Sequence, residues 1–114
     1  MISSNSTPSI KLIDFNKVCA LVKYDLMTKF ADSVLYGKVN HKVKQNIITL
    51  IINFKRNAHK NKTLDNDSIN NMVGTITRDL KANNLIPSTF NSTIFKIEQK
   101  QFTTYLTVNL KEPT

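Results

Sequence analysis

Glycine is nearly missing from this chain of 114 residues, with only two, and proline occurs three times. So few turn-formers leave little material for a loop-rich or many-turned all-β fold. Gly37 and Gly74 alone cannot build a Gly-rich phosphate loop. A single cysteine, Cys19, excludes an intramolecular disulfide framework. No apolar run is long enough to span a bilayer, and the longest, Ile47 to Phe54, is interrupted by Thr49 and Asn53. The first nine residues, MISSNSTPS, lack the cationic-then-apolar plan of a signal peptide. These absences lead to the expectation of a soluble protein of a reducing compartment, cytoplasmic or, in a eukaryote, nuclear, and neither secreted nor membrane-bound.

Negative charge is also missing, and missing in one place. The chain carries 16 Lys/Arg against 8 Asp/Glu, a net charge of +8. Between Lys38 and Lys62 there are seven basic residues and no acidic one, which leaves nine basic against eight acidic elsewhere. The same segment holds the densest apolar run. It indicates a polyanionic partner. Asn, Lys and Ile are abundant, as codons of an AT-rich genome would favour, so the Asn content reflects bias before chemistry.

The length fits one domain with a modest core. Residues 1–9 read as a disordered lead-in and residues 10–111 as the domain. From Phe15 the apolar residues Val18, Cys19, Val22, Leu26, Phe30 and Val34 recur at helical spacing after Asp14, a good N-cap. This predicts a helix of roughly 20 residues, about 30 Å long, closed by Gly37. Leu21, Tyr24 and Leu35 form a second, weaker stripe on it. The run from about Lys42 to His59 places Val43, Ile47, Leu50, Ile51, Phe54 and Ala58 on one helical face, widened by Ile48 and Ile52. It predicts a second, central helix packed on two sides. Asp65 or Asp67 caps a third, Ser68 to Asn84, with Ile69, Met72, Val73, Ile76 and Leu80 inward and Pro87 as its stop. The period then changes to two, and Thr93–Glu98 and Phe102–Leu110 predict a β-hairpin. The expected fold is α+β, a three-helix core with a C-terminal two-stranded hairpin and no internal repeat.

Sites for catalysis are poor. His41 and His59 have neither Cys nor carboxylate at metal-ligand spacing, and Cys19 lies on an inward face with nothing to depress its pKa. Glu98-Gln99-Lys100 matches half of a metal-dependent nuclease pattern, but no acidic residue lies between Asp79, on a helix, and Glu98. No metal, cofactor or enzymatic activity is expected. Binding is better supported. The outward face of the third helix carries Asn71, Gly74, Thr75, Arg78, Lys81 and Ala82, small and hydrogen-bonding residues suited to a major groove. Any amphipathic helix also shows polar residues outward, and the Lys/Arg surplus of the preceding segment is what favours the binding reading.

A helical unit ending Thr75-Ile76-Thr77-Arg78-Asp79-Leu80-Lys81-Ala82-Asn83-Asn84-Leu85-Ile86, followed by a hairpin, resembles the winged helix-turn-helix superfamily. The likeness covers about Val43 to Leu110. It departs from that family in length, since residues 67–85 barely accommodate two helices and a turn. The resemblance implies that Thr75, Thr77, Arg78 and Lys81 face a major groove and that Lys96 and Lys100 sit on a wing. The expected function is therefore a non-catalytic double-stranded-DNA-binding protein, a small transcriptional or replication regulator. Asn71, Thr75, Thr77, Arg78 and Lys81 are its base-reading candidates, and Lys55, Arg56, Lys60, Lys62, Lys96 and Lys100 its phosphate contacts. Leu21, Tyr24 and Leu35 are the candidate homodimer interface, packing against Ile10–Ile13 or the hairpin being the alternative. Two other readings stay open: RNA binding with Tyr105 as a stacking platform, and a basic module for an acidic protein partner.

Overall fold

A computed structural model describes residues 12–56 and 64–113. The elements run α1 (Phe15–Thr28), β1 (Val34–Lys44), β2 (Ile47–Arg56), α2 (Asn66–Ala82), β3 (Asn91–Lys100) and β4 (Thr103–Lys111). The four strands make one antiparallel sheet in the order β1-β2-β4-β3. The described elements are thus two αββ units in succession, their second strands paired at the centre of the sheet. This repetition has no counterpart in a recurring sequence pattern.

The expected three-helix core with an appended hairpin is corrected here: the described residues contain two helices and a four-stranded sheet. The error lies in the second helix. Ile48, Leu50, Ile52 and Phe54 are buried at 2 % exposure or less. They alternate with the half-buried Ile47, Thr49, Ile51 and Asn53. A dense run of Ile fits a helical wheel and a strand equally well. Its β-branched content and two-residue burial period put it in the sheet. The hairpin joining β1 to β2 turns through Gln45 and Asn46, with Gln45 at φ 56°. A left-handed turn position without glycine gives no hairpin signal in the sequence.

The helix caps are as expected. Asp14 accepts from the backbone N–H of Asn16 and Lys17 at 3.1 and 3.3 Å, and Asp65 accepts from that of Ser68 at 2.7 Å. The first helix stops at Thr28 instead of continuing to the mid-thirties, and Gly37 lies within β1 instead of closing a helix. The third expected helix is one continuous α2, so the segment 67–85 contains no helix-turn-helix. Asn84, at φ 57°, closes it, and the Leu85 N–H donates to the Leu80 carbonyl at 2.9 Å. Both helices cover one face of the sheet. Val18, Val22 and Leu26 of α1 and Ile69, Met72, Ile76 and Leu80 of α2 join the inward strand residues in a single core. Among the described residues no helix lies over the other face of the sheet.

Candidate nucleic-acid interface

Strand pairing determines which side chains share the uncovered face. Ile48, Leu50, Ile52 and Phe54 point into the core, so their alternates on β2 point away, and each directly opposed partner shares that side. Five cross-strand rows follow, about 27 Å from first to last. Tyr36, Lys55, Thr103 and Lys100 make the first row, and Lys38, Asn53, Tyr105 and Glu98 the second. Asn40, Ile51, Thr107 and Lys96 make the third, then Lys42, Thr49, Asn109 and Thr93. Lys44 and Ile47 on one half, and Lys111 and Asn91 on the other, end the face.

Seven exposed lysines therefore stand on this face against one carboxylate, Glu98. Lys100 Nζ lies 3.6 Å from that carboxylate. The other described charges are six basic (Lys17, Lys23, Lys29, Arg56, Arg78, Lys81) and seven acidic (Asp14, Asp25, Asp32, Asp65, Asp67, Asp79, Glu112). Charge is thus segregated by face: the open sheet is strongly positive and the remaining described surface is nearly neutral. Lys38, Lys42 and Lys44 form a row on one edge strand, and Lys96 and Lys100 a row on the other. Three strand spacings, about 14 Å, separate the two rows. Between them runs a neutral strip of Asn, Thr, Ile and Tyr.

The two tyrosines of these rows each have a lysine near the ring. Lys100 Nζ sits 5.5 Å from the Tyr105 ring centroid, and Lys23 Nζ sits 5.7 Å from that of Tyr36. Irregularities in the two edge strands add apolar contact points. Leu35 is the extra residue before Tyr36 on β1, and Phe95 the extra residue before Lys96 on β3. Phe95 is 70 % exposed.

The structure divides the expected site residues. Lys55, Lys96 and Lys100 lie on the basic face. Arg56 does not reach outward: its guanidinium donates to the carbonyls of Lys100, at 3.1 Å, and Gln101, and so ties β2 to the β3–β4 turn. Lys60 and Lys62, together with His59, lie outside the described residues, as does the 1–9 lead-in. Asn71 and Arg78 are exposed and Thr75 and Lys81 half-buried. They belong to α2, on the side of the molecule opposite the lysine rows. Arg78 donates to Thr75 Oγ1 at 3.2 Å. Thr77 cannot read bases, because it is 7 % exposed and its hydroxyl donates to the Val73 carbonyl at 2.7 Å. Leu21 packs against the core, while Tyr24 and Leu35 are exposed. Lys38, Lys42, Lys44, Lys111, Asn40, Asn53 and Asn109 were missed. Their signal was the alternation Lys38-Val39-Asn40-His41-Lys42-Val43-Lys44, polar on one parity.

The remaining titratable groups point elsewhere. Cys19 Sγ is 3.8 Å from His41 Nδ1, and the imidazole stacks on Phe15 at 4.4 Å with 4° between planes. Burial pushes the Cys19 thiol up, which favours the unreactive form. Asp25 of α1 and Asp79 of α2 meet at the helix seam. Burial, then the hydrogen bond and charge of Asp79, pushes Asp25 up to about 6. Asp79 is held below the usual carboxylate range by its hydrogen bonds to Asp25 and Lys29, the latter at 2.5 Å. Among the described residues, no three His, Cys, Asp or Glu side chains gather as metal ligands.

No family model, characterised protein or solved structure matches this chain.

Proposed function

We propose that the protein binds double-stranded DNA, without catalysis, through the open face of its sheet. The observation that carries this reading is the pair of lysine rows on the two edge strands with a neutral, hydrogen-bonding strip between them. A duplex presents two phosphate backbones on either side of a groove, and the B-form major groove is about 12 Å wide. Rows about 14 Å apart match two backbones better than the single phosphate track of an unpaired strand. The five rows extend about 27 Å, roughly eight base pairs at 3.4 Å each. The expected class of function is kept; the surface assigned to it moves from the helix face around Arg78 to the sheet.

A single-stranded RNA partner is less well supported. It would use aromatic faces for stacking; Tyr36 and Tyr105 each already hold a lysine near the ring, which leaves Phe95 as the exposed aromatic beside the lysine rows. An acidic protein would satisfy the charge but would not call for two parallel rows. Titration of labelled duplex DNA, single-stranded DNA and single-stranded RNA, each at two salt concentrations, tests the reading. The duplex is expected to bind tightest, with a steep loss of affinity as salt rises. Absence of duplex binding at low salt, or tighter binding of the single strands, would overturn it.

A further inference from the structure

The geometry points to a preference for A·T-rich duplex, read in the major groove by the strip between the lysine rows; this rests on the DNA-binding reading above. The strip contains two asparagines, Asn53 on β2 and Asn109 on β4, and a third, Asn40, stands beside it in the β1 lysine row. An asparagine amide presents one donor and one acceptor side by side, the pattern that matches N7 and N6 of adenine in the major groove. Among the described residues the Asn40 and Asn53 amides have no hydrogen-bond partner. Asn53 is half-buried and directly opposed by Tyr105 on one side and Lys38 on the other. Asn109 accepts from the Thr49 hydroxyl at 2.9 Å, which orients its amide and leaves the NH2 group to donate.

Apolar groups accompany them. Ile51 lies opposite Asn40 in the middle row, and Phe95 stands exposed at the β3 irregularity, next to Lys96. Thymine is the only DNA base with a methyl group in the major groove, and apolar side chains recognise it. The commonest guanine readers are arginine and lysine. Neither described arginine is on this face, since Arg56 is tied to the β3–β4 turn and Arg78 is on α2. The lysines stand on the edge strands or at the ends of the face, where phosphates pass, and not in the middle of the strip.

The test uses four duplexes of equal length at one salt concentration: A·T-rich, G·C-rich, A·T-rich with uracil for thymine, and A·T-rich with 7-deazaadenine. The A·T-rich duplex is expected to bind about tenfold tighter than the G·C-rich one, the lower range for a bidentate contact. Uracil removes only the methyl and 7-deazaadenine only the N7 acceptor, so each is expected to lower affinity. Asn53→Ala is expected to narrow the A·T to G·C ratio while leaving the salt slope unchanged. Equal affinity for the A·T-rich and G·C-rich duplexes, or preference for the latter, would overturn the inference while leaving DNA binding intact. An A·T preference indifferent to both base analogues would assign recognition to the minor groove or to shape, and would also overturn it. Failure of all four duplexes to bind would instead remove the DNA reading itself.

Discussion

A Cβ placed on Gly37 would lie 2.7 Å from Leu26 Cδ1 and 3.4 Å from Leu26 Cβ. Leu26 is fully buried, so it has little room to give way, and the contact is where α1 meets the edge strand β1. The glycine is there for close approach and not for a turn. Gly37→Ala is expected to destabilise the fold by about 1–3 kcal/mol through overpacking. Gly74→Ala serves as control, because a Cβ there meets nothing within 4 Å and it sits in the interior of α2. That change is expected to stabilise by roughly 0.5–1 kcal/mol. Urea melts of both variants check the pair, and a neutral Gly37→Ala would mean that α1 packs less closely than described.

The Asp25–Asp79 pair makes stability depend on pH in a direction that can be worked out. The folded state raises the Asp25 pKa from 3.8 to about 6. Between those values the folded protein holds a proton that the unfolded chain has lost. The contribution of Asp25 is therefore full below the unfolded pKa and is lost as pH rises through about 6. Asp79, held low, acts oppositely and loses its contribution only as pH falls below the ordinary carboxylate range. Asp25→Asn keeps a donor toward Asp79 and removes the buried charge. Its expected effect is a gain of about 2 kcal/mol at pH 8, with little change near pH 4. Thermal melts of both proteins at the two pH values would show the curves converging in acid. A variant destabilised at pH 8 would refute the shared-proton arrangement.

Thr104 takes a place among hydrophobic strand residues that its neighbours Leu106, Val108 and Leu110 fill with aliphatic groups. It is fully buried, and its hydroxyl has no hydrogen-bond partner among the described residues. A buried hydroxyl left unpaired costs about 1–3 kcal/mol. Thr104→Val keeps the shape and removes the polar atom, so a stability gain of roughly 1 kcal/mol is expected. A denaturant midpoint that falls instead would reveal a hydrogen bond made by Thr104.

Local signals in the sequence are legible where chemistry forces them. Asp14 and Asp65 are caps because carboxylates bond exposed N–H groups at helix starts. The inward set of α2 was legible because its apolar residues repeat only at helical spacing. The β3–β4 hairpin was legible from its change of period. What failed was a segment in which two periods coexist. Ile47 to Phe54 is apolar at nearly every position, since Ile47 and Ile51 on the open face are as hydrophobic as Ile48 and Ile52 in the core. Only pairing with β1 and β4 decides its state; β4 is remote in sequence, and β1 is joined to it by a turn without glycine. Once that strand was read as a helix, the lysines of β1 lost their common face and the site shifted to α2. The charge surplus of residues 38–62 was visible from the start; its spatial segregation needed the sheet.

Competing surfaces make opposite demands on the same set of variants. If the sheet face holds the duplex, Lys38→Ala with Lys42→Ala removes two phosphate contacts from one edge. Lys96→Ala with Lys100→Ala removes two from the other. Each pair is expected to reduce the slope of log affinity against log salt by about 2, and the four together by about twice that, because the rows meet separate backbones. Lys17→Ala with Lys81→Ala removes equal charge from the helix side and is expected to leave the slope within error of the parent protein. Arg78→Ala, the decisive substitution for a recognition helix, should change neither affinity nor base preference. Filter binding over a salt series reads all of these at once. Loss of binding in Arg78→Ala with the sheet-face variants unaffected would return the site to α2, and a response from only one lysine row would replace the groove-spanning arrangement with a single-backbone track.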